Sequence, residues 1–293
     1  MANNTSLKSP FQKKEVKLTF LDKIFLIIGS FTLLPVRIII LITCVLLGWF
    51  FAKLGLIGMD ETRPASGFRR ILQRFNYILA RFIFRVCFGF ISPKINGDHL
   101  LSLKDVPVVV AAPHTSFFDV WIICWLEKKG FVSAIAREED KDTPFIGTII
   151  KFHQSYFVRR SCEESRQETL DTIVSRSQDM AWGTLMIFPE GTNSNGSRLL
   201  PFKRGGFQTG IRAVQPVVLK YPNRVDCTTW TKDQGWKGAM VVFWRAMATL
   251  YSRAELDVME ASVPEGDPVI FGERVREAMG ARIGVPLYHD KEG

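Results

Sequence analysis

The sequence predicts an α/β fold: a mixed sheet flanked by helices, preceded by an N-terminal membrane-embedded helical hairpin. Three observations carry that prediction. From Val106 onward, short apolar runs alternate with helical patterns, as in α/β domains. Two of these runs, ending at Ala112 and Phe188, lead into polar loops, and the active sites of such folds lie at that edge of the sheet. Before them, Ile24 to Ala52 is long, apolar and bounded on both sides by basic residues, as a membrane segment is.

The chain divides accordingly into a flexible N-terminal arm over 1–20, a membrane-associated helical region over 21–92 and a catalytic domain over 93–293. The arm is polar and carries lysines. In the second region Pro35 and Arg37 interrupt the apolar run. As a helix, Ile38 to Ala52 reaches about 22 Å, short of the roughly 30 Å hydrocarbon core. In a single span Arg37 would sit near the bilayer middle, at a cost of ~3 kcal/mol or more. Lys13, Lys14, Lys17 and Lys23 precede the run, and Arg63, Arg69, Arg70 and Arg74 follow it. The positive-inside rule then keeps both flanks in the cytosol. The prediction is a re-entrant hairpin turning near Pro35, with a single kinked span as the alternative. Ile78 to Ile91 carries Arg81 and Arg85 on one stripe. It reads as an interfacial helix or as a core helix with two snorkelling arginines.

Val108 to Ala112 reads as a buried strand that delivers His114, after Pro113, to the sheet edge. Thr115 or Ser116 opens a helix running to Trp125. His114 and Asp119 are five residues apart, and within one regular helix they would not share a face. They meet if His114 lies outside the helix and Asp119 in its first turn. Asp119 then fixes the imidazole tautomer, and the other ring nitrogen can take a proton from an alcohol. The competing interpretation is a capping box, Ser116-Phe-Phe-Asp119, serving only the helix end.

The later elements follow in order. Phe131–Ala136 reads as a strand, and Pro144 starts a helix through Ile150. Tyr156-Phe-Val-Arg-Arg160 is a strand presenting arginines that could grip a phosphate bidentately. Leu170, Ile173 and Val174 mark the buried face of a helix. Thr184–Phe188 is a strand ending in Pro189-Glu190-Gly191-Thr192, which supplies an acceptor, close backbone approach and a small donor. Val214–Leu219 is a strand, Met240–Tyr251 a helix and Leu256–Met259 a strand. Asp267-Pro268 caps a final helix that Gly280 ends.

The formal charge of +9 and the pI near 9.4 call for an anionic partner: nucleic acid, anionic lipid or the phosphates of coenzyme A. No zinc-finger spacing or RNA-binding aromatic motif occurs, so no nucleic acid is expected. The five cysteines are scattered and form no CxxC, which fits a reducing compartment. None of the four histidines has metal-ligand spacing, so no bound metal is expected. The serine-hydrolase GxSxG elbow and the P-loop are both missing.

The ordered blocks HTSFFD, YFVRR, FPEGTNSNG and VQPVVL resemble the glycerophospholipid acyltransferase superfamily. LPFKRGGF and LKYPNRVDCTTWT resemble its lysophosphatidylcholine and lysophosphatidylethanolamine acyltransferase branch. The resemblance runs from about Val106 to Gly284. It implies an acyltransferase-type sheet, with His114 as base and Asp119 as its partner. Glu190, Gly191 and Thr192 would position the acyl acceptor, and Arg160 would meet the acceptor's phosphate. The block around Arg160 departs from other branches, which place a glycine two or three residues before the aromatic position. Backbone N–H groups at the helix start near His114 would stabilise the oxyanion. The implied reaction moves a fatty acyl group from acyl-CoA, a co-substrate rather than a bound cofactor, to a lysophospholipid at the bilayer. Residence in the endoplasmic reticulum, with the catalytic domain facing the cytosol, is implied too. Two alternatives stay open: lysophosphatidic acid or glycerol 3-phosphate as acceptor, and a non-catalytic membrane-surface scaffold. Some members of the branch continue into calcium-binding EF-hands. No such loop occurs here, so no calcium dependence is expected.

Overall fold

The structure, a computed structural model, describes residues 9–13, 17–97, 106–126, 132–159 and 161–289. In chain order the elements are α1 (Phe20–Leu56), α2 (Phe68–Val86), β1 (Lys94–Asn96), β2 (Val108–Ala112), α3 (Asp119–Ile123), β3 (Val132–Arg137) and α4 (Ile146–Phe152). Then come β4 (Tyr156–Val158), α5 (Glu163–Gln178), β5 (Thr184–Ile187), β6 (Val214–Lys220), α6 (Gly235–Ala248), β7 (Glu255–Val258) and α7 (Pro268–Ile283). The strands form one mixed sheet in the order β1-β7-β6-β2-β5-β3-β4. Only the β6–β7 pair is antiparallel.

β2 lies mid-sheet and is apolar throughout because both of its faces are covered. Val109 and Ala111 join Phe118, Met186 and Met247 in one core layer. Val108, Val110 and Ala112 join Phe207, Phe271 and Met279 in the other. Alternation along the strand sends successive side chains to opposite layers. Because β2, β5 and β6 run parallel, their C-terminal ends meet at one edge. That edge carries the loops starting at Pro113, Phe188 and Tyr221.

The N-terminal region differs from the expected hairpin. α1 is one continuous helix of 37 residues that runs through Pro35, so there is no turn at that residue. A proline inside a helix costs about 3 kcal/mol, and packing along the whole helix offsets it. Thr19 and Asp22 form a capping box at its start. Arg224 reaches the same end, donating to Thr19 Oγ1 at 2.9 Å and pairing with Asp22 at 3.3 Å. Near its other end, a side chain at Gly55 would collide with Phe152 of α4. In between, Arg37 is 7% exposed and donates to the carbonyls of Met247, Thr249 and Leu250 at 2.8, 2.5 and 3.1 Å. The charge that looked misplaced in a bilayer therefore sits in protein, on carbonyls at and just beyond the C-terminal end of α6. The helical hairpin that does form is α1 against α2, with its connection after Leu56.

Two further differences are local. α7 ends at Gly284, in the left-handed conformation at φ 79°, while Gly280 lies inside the helix and packs against Leu287. Of the expected arm, residues 9–13 dock on the loop after β5. Asn195 Nδ2 donates to the carbonyls of Ser9 and Gln12, and its N–H donates to that of Pro10.

Candidate active site

His114 follows β2 directly, and Asp119 is the first residue of α3. That is the arrangement a five-residue spacing requires. His114 Nδ1 lies 2.8 Å from Asp119 Oδ2, and Asp119 is fully buried. The same Oδ2 accepts the N–H groups of Thr115 and Ser116 at 2.8 and 2.9 Å. Asp119 thus caps the turn and orients the histidine at once, which unites the two competing interpretations. Oδ1 accepts the Tyr221 hydroxyl at 2.6 Å. Burial, with Asp119 beside it, pushes the Tyr221 phenol well above its ordinary value, so the group stays a donor. The His114 ring stacks on Phe188, centroids 4.0 Å apart.

The loop after β5 reaches the same place. Glu190 is 3% exposed and turns inward. Its Oε2 accepts the His114 N–H at 2.6 Å and its Oε1 the Leu200 N–H at 2.8 Å. The resemblance gives Glu190 a part in positioning the acyl acceptor; in the structure both of its carboxylate oxygens brace backbone. Burial raises its pKa to about 7, against the pull of those two N–H groups and of Arg276. Ser194 N–H donates to the His114 carbonyl at 2.8 Å, closing a second link between the two loops. Gly191, at φ 67°, has Lys203 where a side chain would stand, with Cε 2.7 Å from an ideal Cβ. Glycine is favoured there by its left-handed conformation, while the end of the Lys203 side chain could move aside.

Gly191, Thr192 and Asn193 line, with His114, one cavity of about 1610 Å³. It extends from the sheet edge to the inner faces of α1 and α2, where Leu41, Val45 and Leu79 line it. Arg160 lies outside the described residues; its neighbour Arg159 is exposed at the end of β4. Three of the backbone N–H groups that were candidate oxyanion donors are engaged within the protein. The N–H groups of His114, Thr115 and Ser116 are already held by Glu190 and Asp119. Among the described residues no cluster of three or more metal-ligating side chains occurs.

Tyr221, Phe188 and Asn193 were not anticipated as site residues. The available signal was topological: Tyr221 follows β6 as His114 follows β2, and the two strands are neighbours.

A mixed sheet with a histidine–aspartate pair at the strand ends, opening on a long cavity, defines the class; comparison with known proteins gives the family. The chain carries a domain of the acyltransferase family, for residues 94–222 match the family model described as Acyltransferase. Lysophosphatidylcholine acyltransferase 1 of Danio rerio is 33% identical over 97% of this chain and 54% of its own length. The lysophosphatidylcholine acyltransferase of Drosophila melanogaster is 34% identical over 87% of this chain and 48% of its own. Human lysophosphatidylcholine acyltransferase 2 is 34% identical over 90% and 48%. The chain spans about half the length of these curated relatives. The crystal structure of the 1-acyl-sn-glycerophosphate (LPA) acyltransferase PlsC from Thermotoga maritima shares the fold. Its TM-score is 0.56 at 17% identity, over 92% of this chain and 99% of that one.

Proposed function

We propose that the protein transfers a fatty acyl group from acyl-CoA to the free hydroxyl of a lysophospholipid, with lysophosphatidylcholine or lysophosphatidylethanolamine as acceptor. The observation that carries this reading is the 2.8 Å contact between His114 Nδ1 and Asp119, with His114 on the wall of a cavity of about 1610 Å³ that apolar side chains of α1 and α2 also line. His114 Nε2 takes the hydroxyl proton as the acceptor oxygen attacks the thioester carbonyl. Asp119 stabilises the imidazolium. The tetrahedral intermediate collapses, the C–S bond breaks and the proton leaves with the coenzyme A thiol. No covalent enzyme intermediate and no bound cofactor enter the scheme.

The oxyanion needs a donor. Asn193 Nδ2 is buried without a hydrogen-bond partner among the described residues, and Asn193 lines the cavity with His114. We assign it that role. Glu190 acts by holding the His114 backbone, while Gly191 and Thr192 border the acceptor. Arg160 remains the proposed phosphate ligand.

α1 is apolar enough to be a membrane helix. It holds the catalytic domain at both ends, and exposes Phe20, Phe25, Phe31, Ile39 and Phe50. α6 beside it exposes Trp236 and Met240. This supports a protein lying on one leaflet with its apolar faces immersed; the cytosolic side of the endoplasmic reticulum is the proposed location on the strength of the family resemblance alone.

The test is thiol release from acyl-CoA with lysophosphatidylcholine, lysophosphatidylethanolamine, lysophosphatidic acid and glycerol 3-phosphate as acceptors. Transfer to the first two that is lost in folded His114→Ala supports the reading. Preference for the last two moves the acceptor, and no thiol release with any of the four leaves a scaffold.

A further inference from the structure

We infer that Asn76 recognises the amide groups of the acyl donor's pantetheine arm, an inference that rests on the acyl-CoA reading above. Asn76 lies on α2 and is 5% exposed. Its Nδ2 and its Oδ1 are both buried, and neither has a hydrogen-bond partner among the described residues. The residue lines the same cavity as His114. Opposite it α1 contributes Gly48, where a Cβ would stand 3.4 Å from Asn76 Oδ1. Leu79 and Ile149 reach the same point of α1, each within 4 Å of an ideal Gly48 Cβ, and neither offers a polar side-chain group. The glycine packs over the carboxamide and brings no side chain that could hydrogen-bond to it.

A buried carboxamide with neither function satisfied bears the full desolvation penalty of both. Such groups are exceptions in folded proteins and call for a ligand or a water to complete them. The proposed reaction brings three chains to this cavity. The fatty acyl chain has no polar atom beyond the thioester and would leave both functions unmet. A lysolipid's ester carbonyl accepts but does not donate, its free hydroxyl is committed to His114 in the proposed reaction, and an ethanolamine ammonium donates without accepting, so none of these meets both Nδ2 and Oδ1. The pantetheine arm carries two secondary amides. The short linker between them lets the C=O of one and the N–H of the other face the same way. That pair matches Nδ2 and Oδ1 of Asn76, donor to acceptor in both directions. The count of donors and acceptors therefore selects the pantetheine arm and assigns the α1–α2 side of the cavity to the coenzyme end of the donor.

The experiment compares acyl-CoA with an amide-free acyl thioester of ethanethiol, in wild type and in Asn76→Leu, whose thermal melts establish folding. In the variant, kcat/KM for acyl-CoA relative to the amide-free thioester should fall about tenfold. The loss should lie in KM for acyl-CoA, with KM for the lysophospholipid unmoved. An unchanged ratio, or a loss that falls on the lysophospholipid, overturns the inference. A second measurement needs no variant: wild type with a donor whose two pantetheine amides are replaced by esters. A KM about tenfold higher supports the assignment, and an equal KM overturns it. A wild type that transfers from no donor at all overturns the acyltransferase reading and this inference together. Normal wild-type transfer with equal losses on both donors removes this inference alone.

Discussion

Tyr221 donates its hydroxyl to Asp119 Oδ1 at 2.6 Å, so the carboxylate that orients His114 is itself held from the far side. The two residues are 102 positions apart and meet because β6 pairs with β2 in parallel. A hydrogen bond to a buried charged acceptor contributes ~1.5–3 kcal/mol. Tyr221→Phe should lower the melting temperature by several degrees and reduce kcat roughly tenfold through looser orientation of His114. KM for both substrates should hold, and steady-state kinetics beside a thermal melt would check this.

Asp119→Asn should be far more severe for turnover. The amide presents the wrong partner to His114 and cannot balance the imidazolium, so kcat should drop ~10³–10⁴-fold. It also weakens the turn, because Oδ2 holds the N–H groups of Thr115 and Ser116. Thiol release by the folded variant is the measurement.

How far the sequence could be read depended on whether the signal was local. β2, β5 and β6 were legible because strands covered on both faces are largely apolar runs. The His114–Asp119 pair was legible because Pro113 and the helix start lie between known landmarks. Three features were not. Nothing near Arg37 in sequence shows that the carbonyls of Met247, Thr249 and Leu250 receive it, so a charge inside an apolar run read as a break. Tyr221 belongs to the site only through strand order. Glu190 sits in an exposed-looking turn, yet its carboxylate is drawn inward by two backbone N–H groups whose positions depend on the fold.

Glu190 gives a pH signature. Its pKa rises from 4.5 to about 7 in the fold, chiefly through burial. A raised carboxylate favours the folded state below the unfolded pKa, and that contribution is lost as pH climbs through the folded one. Wild-type stability should therefore decline, relative to Glu190→Gln, between about pH 4.5 and pH 7. The difference is on the order of a few kcal/mol. Parallel melts of the two proteins at pH 5 and pH 8 would show it, and identical pH slopes would refute it.

Asn193→Ala tests the oxyanion assignment. Loss of one such donor typically lowers kcat ~10²–10³-fold, with little effect on KM. Asn193 Nδ2 has no partner to lose among the described residues, so the melting temperature should stay within a degree or two of wild type. A large stability loss with modest kinetics would mark a structural residue instead.

The position of α1 can be tested by its two ends. A helix of 37 residues is about 55 Å long, ample to cross a bilayer, yet Arg224 holds its start and Phe152 meets it near its end. One catalytic domain cannot hold both ends of a crossing helix. Phe20 and Ile57 are 76% and 69% exposed. With Phe20→Cys and Ile57→Cys in sealed vesicles, a membrane-impermeant thiol reagent should label both positions from the same side. Labelling of one alone would mean a true crossing. Arg37→Leu should loosen this docking, because three carbonyls lose their donor. Arg37→Lys should restore only part of the stability, since a single ammonium cannot reproduce the guanidinium fork. If α1 instead stood free in the bilayer, replacing Arg37 with leucine would favour insertion and leave the melting temperature of the rest of the protein unchanged.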